Sequence, residues 1–169
     1  ANVYVMPSIS DSKSNEVFEE EKKKFIYVSP SGNDANNGST RNVPVKTLAR
    51  AIELARTTEN IVIMGGTFNE ANLTINYNLT ITGENGATIT VTGQGFTITD
   101  GDVKFENLIF KNCKYGSNTK NRLITQSNSG FLIIEDCIFE SNEYKTHIEA
   151  SGILQGQNLQ FIKNKDGSV

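Results

Sequence analysis

From position 60 onward, apolar and polar residues alternate in short runs, the two-residue period of half-buried β-strands. One unit recurs: Asn or Asp, an apolar residue, any residue, an apolar residue. It is read at Asn60-Ile61-Val62-Ile63, Asn78-Leu79-Thr80-Ile81, Asn107-Leu108-Ile109-Phe110, Asp136-Cys137-Ile138-Phe139 and Asn158-Leu159-Gln160-Phe161. Unequal intervals around a constant unit fit one strand per turn of a stack, joined by loops of different length. The last three copies extend backwards through Val103 and Phe105, Leu132 and Ile134, and Leu154 and Gly156. In each, the apolar parity switches after a two-residue polar step, Glu106-Asn107, Glu135-Asp136 and Gln157-Asn158. A straight strand would turn the second apolar set outward, because successive side chains face opposite sides. A tight bend keeps both sets inside, and Asn and Asp tolerate the left-handed backbone it needs.

This pattern describes a stack of coils, a parallel β-helix, with a rung spacing of about 4.8 Å. Interior rows are predicted through Leu79, Leu108, Cys137 and Leu159, through Ile81, Phe110, Phe139 and Phe161, and through Val103, Ile134 or its neighbour, and Leu154. Before position 60 the period changes. Phe25-Ile26-Tyr27-Val28 reads as a strand, and 33–43 as a loop rich in Asn, Gly, Asp and Ser. Leu48, Ala51, Ile52 and Ala55 then share one helical face, after Pro44 and a capping Thr47. About ten residues of helix do not persist alone. The helix over 46–57 is therefore expected to cover the first coil, with Leu48, Ile52 and Ala55 against Ile61 and Ile63. Three segments follow: a tail or linker over 1–24, the first strand, loop and capping helix over 25–59, and coils over 60–169. The repeat still runs at Asn158 to Asn164, so an open last coil within a longer β-helix is expected. Residues 3–6, apolar and β-prone, are a candidate to cover that end in another copy.

Composition narrows the function. Hydrophobic residues are 37% and charged residues 21% of 169, with 14 Gly and 3 Pro, which excludes a helical bundle or a collagen-like chain. A net charge of −3 argues against a broad nucleic-acid surface. No apolar run approaches the ~20 residues that span a bilayer, so no direct membrane insertion is expected. One His and two Cys leave little for zinc or a nucleophilic triad.

Tyr27-Val28-Ser29-Pro30-Ser31-Gly32-Asn33-Asp34, Asn37-Gly38-Ser39, Pro44, Lys46-Thr47-Leu48 and Ala51-Ile52 resemble the first segment of many secreted right-handed parallel β-helix proteins of the pectate-lyase-like superfold. Phe139-Glu140-Ser141-Asn142 and Phe161-Ile162-Lys163-Asn164 are similar to the Phe-x-x-Asn repeats of polymorphic surface proteins. Together they resemble the adhesin-like β-helix proteins of methanogenic archaea and their bacterial counterparts. The resemblance implies an all-β, right-handed parallel β-helix (a solenoid) with an N-terminal amphipathic capping helix, in an extracellular, cell-surface or secreted setting.

Candidate chemistry is sparse. Lyases on this fold need clustered Asp for calcium and an Arg or Lys base, and glycosidases need paired carboxylates at one surface. Of Arg41, Arg50, Arg56 and Arg122, the first three fall in the cap region. Asp100-Gly101-Asp102 reads as a turn. Glu106 and Glu135 stand one coil apart and read as solvated bend residues, with a close carboxylate pair as the alternative. His147 is expected to point outward beside an inward Ile148. The loop Asn33-Asp34-Ala35-Asn36-Asn37-Gly38 has oxygen ligands at calcium-loop spacing, but one carboxylate is too little charge. Thr80, Thr82, Thr88, Thr90, Thr92, Thr97 and Thr99 follow one another along strands rather than recurring coil by coil, and read as outward strand residues. Asn37, Asn72 and Asn78 head N-glycosylation sequons. Cys137 belongs to an interior row. Cys113 falls roughly 15 Å further along the coil, beyond disulfide reach, so two separate thiols are expected.

No catalytic residue, metal site or cofactor is therefore assigned, and no ligand residue can be named. The leading expectation is a non-catalytic, surface-exposed adhesin-like module contacting glycans or proteins of another cell, with self-association through an open β-helix end. The alternative is the N-terminal part of an extracellular polysaccharide lyase or glycoside hydrolase whose catalytic coils lie beyond residue 169.

Overall fold

The computed structural model describes residues 22–116 and 121–165; residues 3–6, proposed as a covering segment, lie outside them. The described elements are β1 (Ile26–Val28), α1 (Leu48–Leu54), β2 (Asn60–Ile63), β3 (Thr67–Asn76), β4 (Leu79–Gly83), β5 (Thr88–Asp100), β6 (Val103–Glu106), β7 (Ile109–Lys111), β8 (Arg122–Gln126), β9 (Phe131–Glu135), β10 (Ile138–Glu140), β11 (Thr146–Ala150), β12 (Ile153–Gln157) and β13 (Gln160–Ile162). The strands pair in parallel as a parallel β-helix. One sheet runs β1-β2-β4-β6-β9-β12; the other runs β11-β8-β5-β7-β10-β13, with β3 beside β5. The long strands β3 and β5 serve two faces. Their pairing shifts register between Ala71 and Leu73, where Asn72 has φ 52° and Gly93 and Gly95 have φ 69° and 63°.

The predicted bends are present. Asn107, Asp136 and Asn158 have φ 54°, 52° and 50°, each between a strand of the first sheet and one of the second. The first two repeat copies, however, fall elsewhere in the coil. Asn60 and Leu79 begin or lie at the start of first-sheet strands, and the equivalent bend in that part of the chain is Asn85-Gly86, with φ 52° and 70°. The interior rows are regrouped accordingly. Ile61, Ile81, Phe105, Ile134 and Gly156 form one row. Leu79 aligns with Val103, Leu132 and Leu154 rather than with Leu108. Phe110, Phe139 and Phe161 follow Ile89, not Ile81. A four-residue pattern that suits both halves of a coil cannot say which half it belongs to.

The Phe row stacks Phe110 on Phe139 at 4.9 Å and 14°, and Phe139 on Phe161 at 4.9 Å and 9°. Phe96 and Phe105 meet Phe110 edge-on. Each such aromatic pair contributes about 0.5–1.5 kcal/mol beyond area burial. The Asn of Phe-x-x-Asn follows a second bend, at Asn112, Ser141 and Lys163, with φ 55°, 55° and 52°. There the strand ladder breaks and side chains replace it. Asn142 Oδ1 accepts the Cys113 N–H at 2.9 Å, and its Nδ2 donates to the Phe110 carbonyl at 3.0 Å. Asn164 repeats this one coil on, accepting from Asn142 N and donating to the Phe139 carbonyl. Cys113 stands in the same place one coil earlier: its Sγ accepts from Val91 N at 3.3 Å and donates to the Ile89 carbonyl at 3.4 Å.

Helix α1 is shorter than the predicted 46–57. Thr47 caps it, its side chain accepting from Arg50 N, and Leu48, Ala51 and Ile52 are buried. It lies against β1 and β3. The expected seat on Ile61 and Ile63 is displaced because β1 pairs with β2 and adds a rung between them. The Tyr77 hydroxyl donates to the Ile52 carbonyl, and Arg56 stacks over the Tyr77 ring at 5.0 Å, which fixes the other end of the helix. At the last described rung, Ile153 and Leu154 are 50% and 47% exposed.

Candidate ligand-binding face

The outward side chains of the first sheet form two columns at the strand period. Tyr27, Val62, Thr82, Glu106, Glu135 and Gln157 stand in register, one per coil. Asn60, Thr80, Lys104, Ile133 and Gln155 stand beside them. Over β1, β2, β4 and β6 this face holds a shallow groove of about 500 Å³, rimmed by Lys23, Phe25, Arg41 and Glu84.

The loop before α1 brings Arg41 to the rim. Arg41 forms a two-pronged ion pair with Glu84, Nη1 to Oε2 at 2.8 Å and Nη2 to Oε1 at 2.6 Å. Its guanidinium lies 5.1 Å above the Tyr27 ring, whose other neighbour is Phe25 at 6.1 Å. The Arg41 hydrogen bonds hold the Glu84 carboxyl below its ordinary value. At the far end, Lys104 Nζ is 3.0 Å from Glu135 and 3.5 Å from Glu106. The hydrogen bond to Glu135 raises the Lys104 pKa. The two carboxylates do stand on adjacent coils, but as the final residues of β6 and β9 with a shared cation between them. The expectation of simply solvated bend residues is corrected to a bridged pair. Sequence reading missed Lys104, although its position two residues before Glu106 on one strand places both on one face.

The other candidates are structural. Asp34 accepts from Lys46 N, Thr47 N and the Thr47 hydroxyl at 2.8–2.9 Å, so the only carboxylate of the Asn33–Gly38 loop is spent on the helix cap. Burial pushes its pKa up, but the Thr47 and Lys46 hydrogen bonds and Arg50 outweigh it and hold the group below its ordinary value. Glu70, also unread from sequence, accepts from Leu48 N at 2.6 Å; burial raises its pKa against the Leu48 and Ala49 hydrogen bonds, and the Asp34 charge adds to the rise. Asp100-Gly101-Asp102 is the expected turn, with Gly101 at φ 83° and Asp102 accepting from Phe131 N at 2.8 Å. Asn37, Asn72 and Asn78 use their side-chain oxygens on Ser39, Gln94 and Asp102 N–H groups.

His147 is a correction. It points inward and is 2% exposed, its ring 5.8 Å from Phe139 and 5.6 Å from Phe161, both edge-on; Ile148 is only half-buried. β11 follows a second bend, so its parity is the reverse of what the flat strand pattern gives. The threonines also recur coil by coil in one place, where Thr74, Thr97 and Thr125 are paired in register. Cys113 and Cys137 are unbonded and Cys137 is buried, as expected; Cys113 is buried as well. Burial raises their thiols to about 12 and about 11. Among the described residues no group of three His, Cys, Asp or Glu could hold a metal ion, and no helix is long and apolar enough to cross a membrane.

With the fold and the face described, one family match bears on both. Residues 30–75 match the sequence model of a family described as a protein of unknown function, DUF1565. That family consists of parallel β-helix proteins. The matched segment runs from the loop after β1 through α1 and β2 to β3, and so contains the Arg41 arm and the β2 rung of the groove, with Asn60 and Val62. No curated protein and no solved structure gives a significant match.

Proposed function

We propose that the chain is a non-catalytic, adhesin-like β-helix module, displayed outside the cell, that contacts glycans of another cell through the outer face of its β1-β2-β4-β6 sheet. The observation carrying this reading is the groove itself. It offers amide and hydroxyl groups in register, two half-buried aromatic rings at one end, and carboxylates already engaged by cations. Hydrolysis needs one carboxylic acid kept protonated beside a free carboxylate. Here Arg41 holds Glu84 ionised, and Lys104 bridges Glu106 and Glu135. Such a surface is suited to holding sugar hydroxyls rather than to transferring protons.

Electrophoresis through native gels containing dissolved polysaccharides tests this reading, with reducing ends assayed in the same mixtures. Retarded migration with no new chain ends is the expected result. Release of new ends that stops when Glu106 or Glu135 is replaced by Gln would put a lyase or hydrolase site within these coils and overturn the non-catalytic reading.

A further inference from the structure

Resting on that reading, we infer that the groove takes a neutral, extended glycan lying along the solenoid axis, one sugar to about one coil, and not a uronate or sulfated chain. The first ground is charge. Arg41 and Glu84 close on each other at both nitrogens, and Lys104 is shared by Glu106 and Glu135. An anionic sugar would have to break one of these pairs or lie beside Glu84 and Glu106, and like charges placed together weaken a complex. Lys23 at the rim, with Lys22 and Lys24 beside it, forms a cationic edge that counts against that arrangement. A neutral hydroxyl meets no such cost. Each paired carboxylate keeps lone pairs that accept from a sugar O–H.

The second ground is spacing. Asn60, Thr80 and Lys104 are consecutive rungs of one column, and Val62, Thr82 and Glu106 of the other. Rungs stand about 4.8 Å apart, close to the advance of one sugar in an extended chain. Asn60, then Thr80 and Thr82, then Lys104 and Glu106 thus offer donors and acceptors to successive units, Val62 being buried, while Tyr27 and Phe25 close one end of the track.

Calorimetric titration with neutral oligosaccharides (cello-, xylo-, manno- and chito-series) of increasing length, and with oligogalacturonates and heparin fragments, tests this. The expected result is affinity for a neutral series that rises with length, levels off near the number of groove coils, and does not change with salt. Thr82→Arg should lower that affinity about tenfold or more, while Thr125→Val, on the other sheet, leaves it unchanged; both variants should keep the parent melting temperature. Tight, salt-sensitive binding of the charged chains alone would overturn the inference and leave the glycan reading standing. Neutral binding indifferent to Thr82→Arg would overturn the placement. No binding in any series would overturn the inference and the glycan reading together.

Discussion

A side chain in this fold often does what a backbone group does elsewhere. At several bends the strand ladder is interrupted, and an Asn, Asp or Cys supplies the missing acceptor to the neighbouring coil, whereas at Asn107 and Asp136 backbone bonds carry the ladder on. Asn142 and Asn164 do so in the interior, Asn72, Asn78 and Asp102 near the surface. Cys113 is the weakest member of the interior set, because a thiol is a poor donor and acceptor. Cys113→Ala leaves the buried Val91 N–H without its partner and should cost about 1–3 kcal/mol. Cys113→Asn, which restores both polar functions as at Asn142, should recover most of that loss. Urea denaturation of the three proteins checks both; equal midpoints for Ala and Asn would remove the ladder as the cause. The bends at Asn107, Asp136 and Asn158 were legible because a parity switch beside Asn has one economical explanation. The inward turn of His147 was not, since it depends on a bend outside any repeated motif.

At the scale of elements, the seven-residue helix persists because two carboxylates from distant positions hold its start, one on the capping residues and one on its first N–H, beside the Thr47 cap itself. Asp34 serves Thr47 and the residue before it, and Glu70 serves Leu48. The two titrate in opposite senses. Glu70 has its folded pKa raised above 4.5, so the folded state binds more protons there and stability falls as pH rises through that window. Asp34 has its folded pKa lowered below 3.8, so its contribution is present above that value and is lost as pH falls through the folded pKa. Glu70→Gln keeps an acceptor for Leu48 N and removes the titration. The melting temperature of the parent should therefore fall relative to the variant as pH rises above 4.5; parallel curves would show that the Glu70 charge is without cost. The helix and its Thr47 cap were legible from an i, i+3, i+4, i+7 stripe. Glu70 was not, because it reaches the helix only through the stacking of β3, and sequence distance gives no sign of it.

The whole molecule is a one-dimensional stack, in which each rung is held by the rung before and the rung after. Its interior is uneven along the axis. Phe105, Phe110, Leu132 and Phe139 are fully enclosed in the middle coils, whereas every residue of β12 is exposed and β13 is at most half-buried. Gly156 interrupts the row of Ile61, Ile81, Phe105 and Ile134, so the last described rung adds no side chain there. Local opening free energy follows buried apolar contact and solvent access to the ladder. Native-state hydrogen exchange should then be slowest for β4, β6 and β7, intermediate for β9 and β10, and fastest for β12 and β13. Truncating the Phe column at its centre extends the argument. Phe139→Ala removes both stacked contacts and the enclosing surface, at a cost of about 3–5 kcal/mol. Because coupling runs between neighbours, exchange should accelerate in β10, β13 and β7 before it changes in β1 and β2. If β1 and β2 accelerated equally, the stack would be a single cooperative unit, and the graded description of its stability would be wrong.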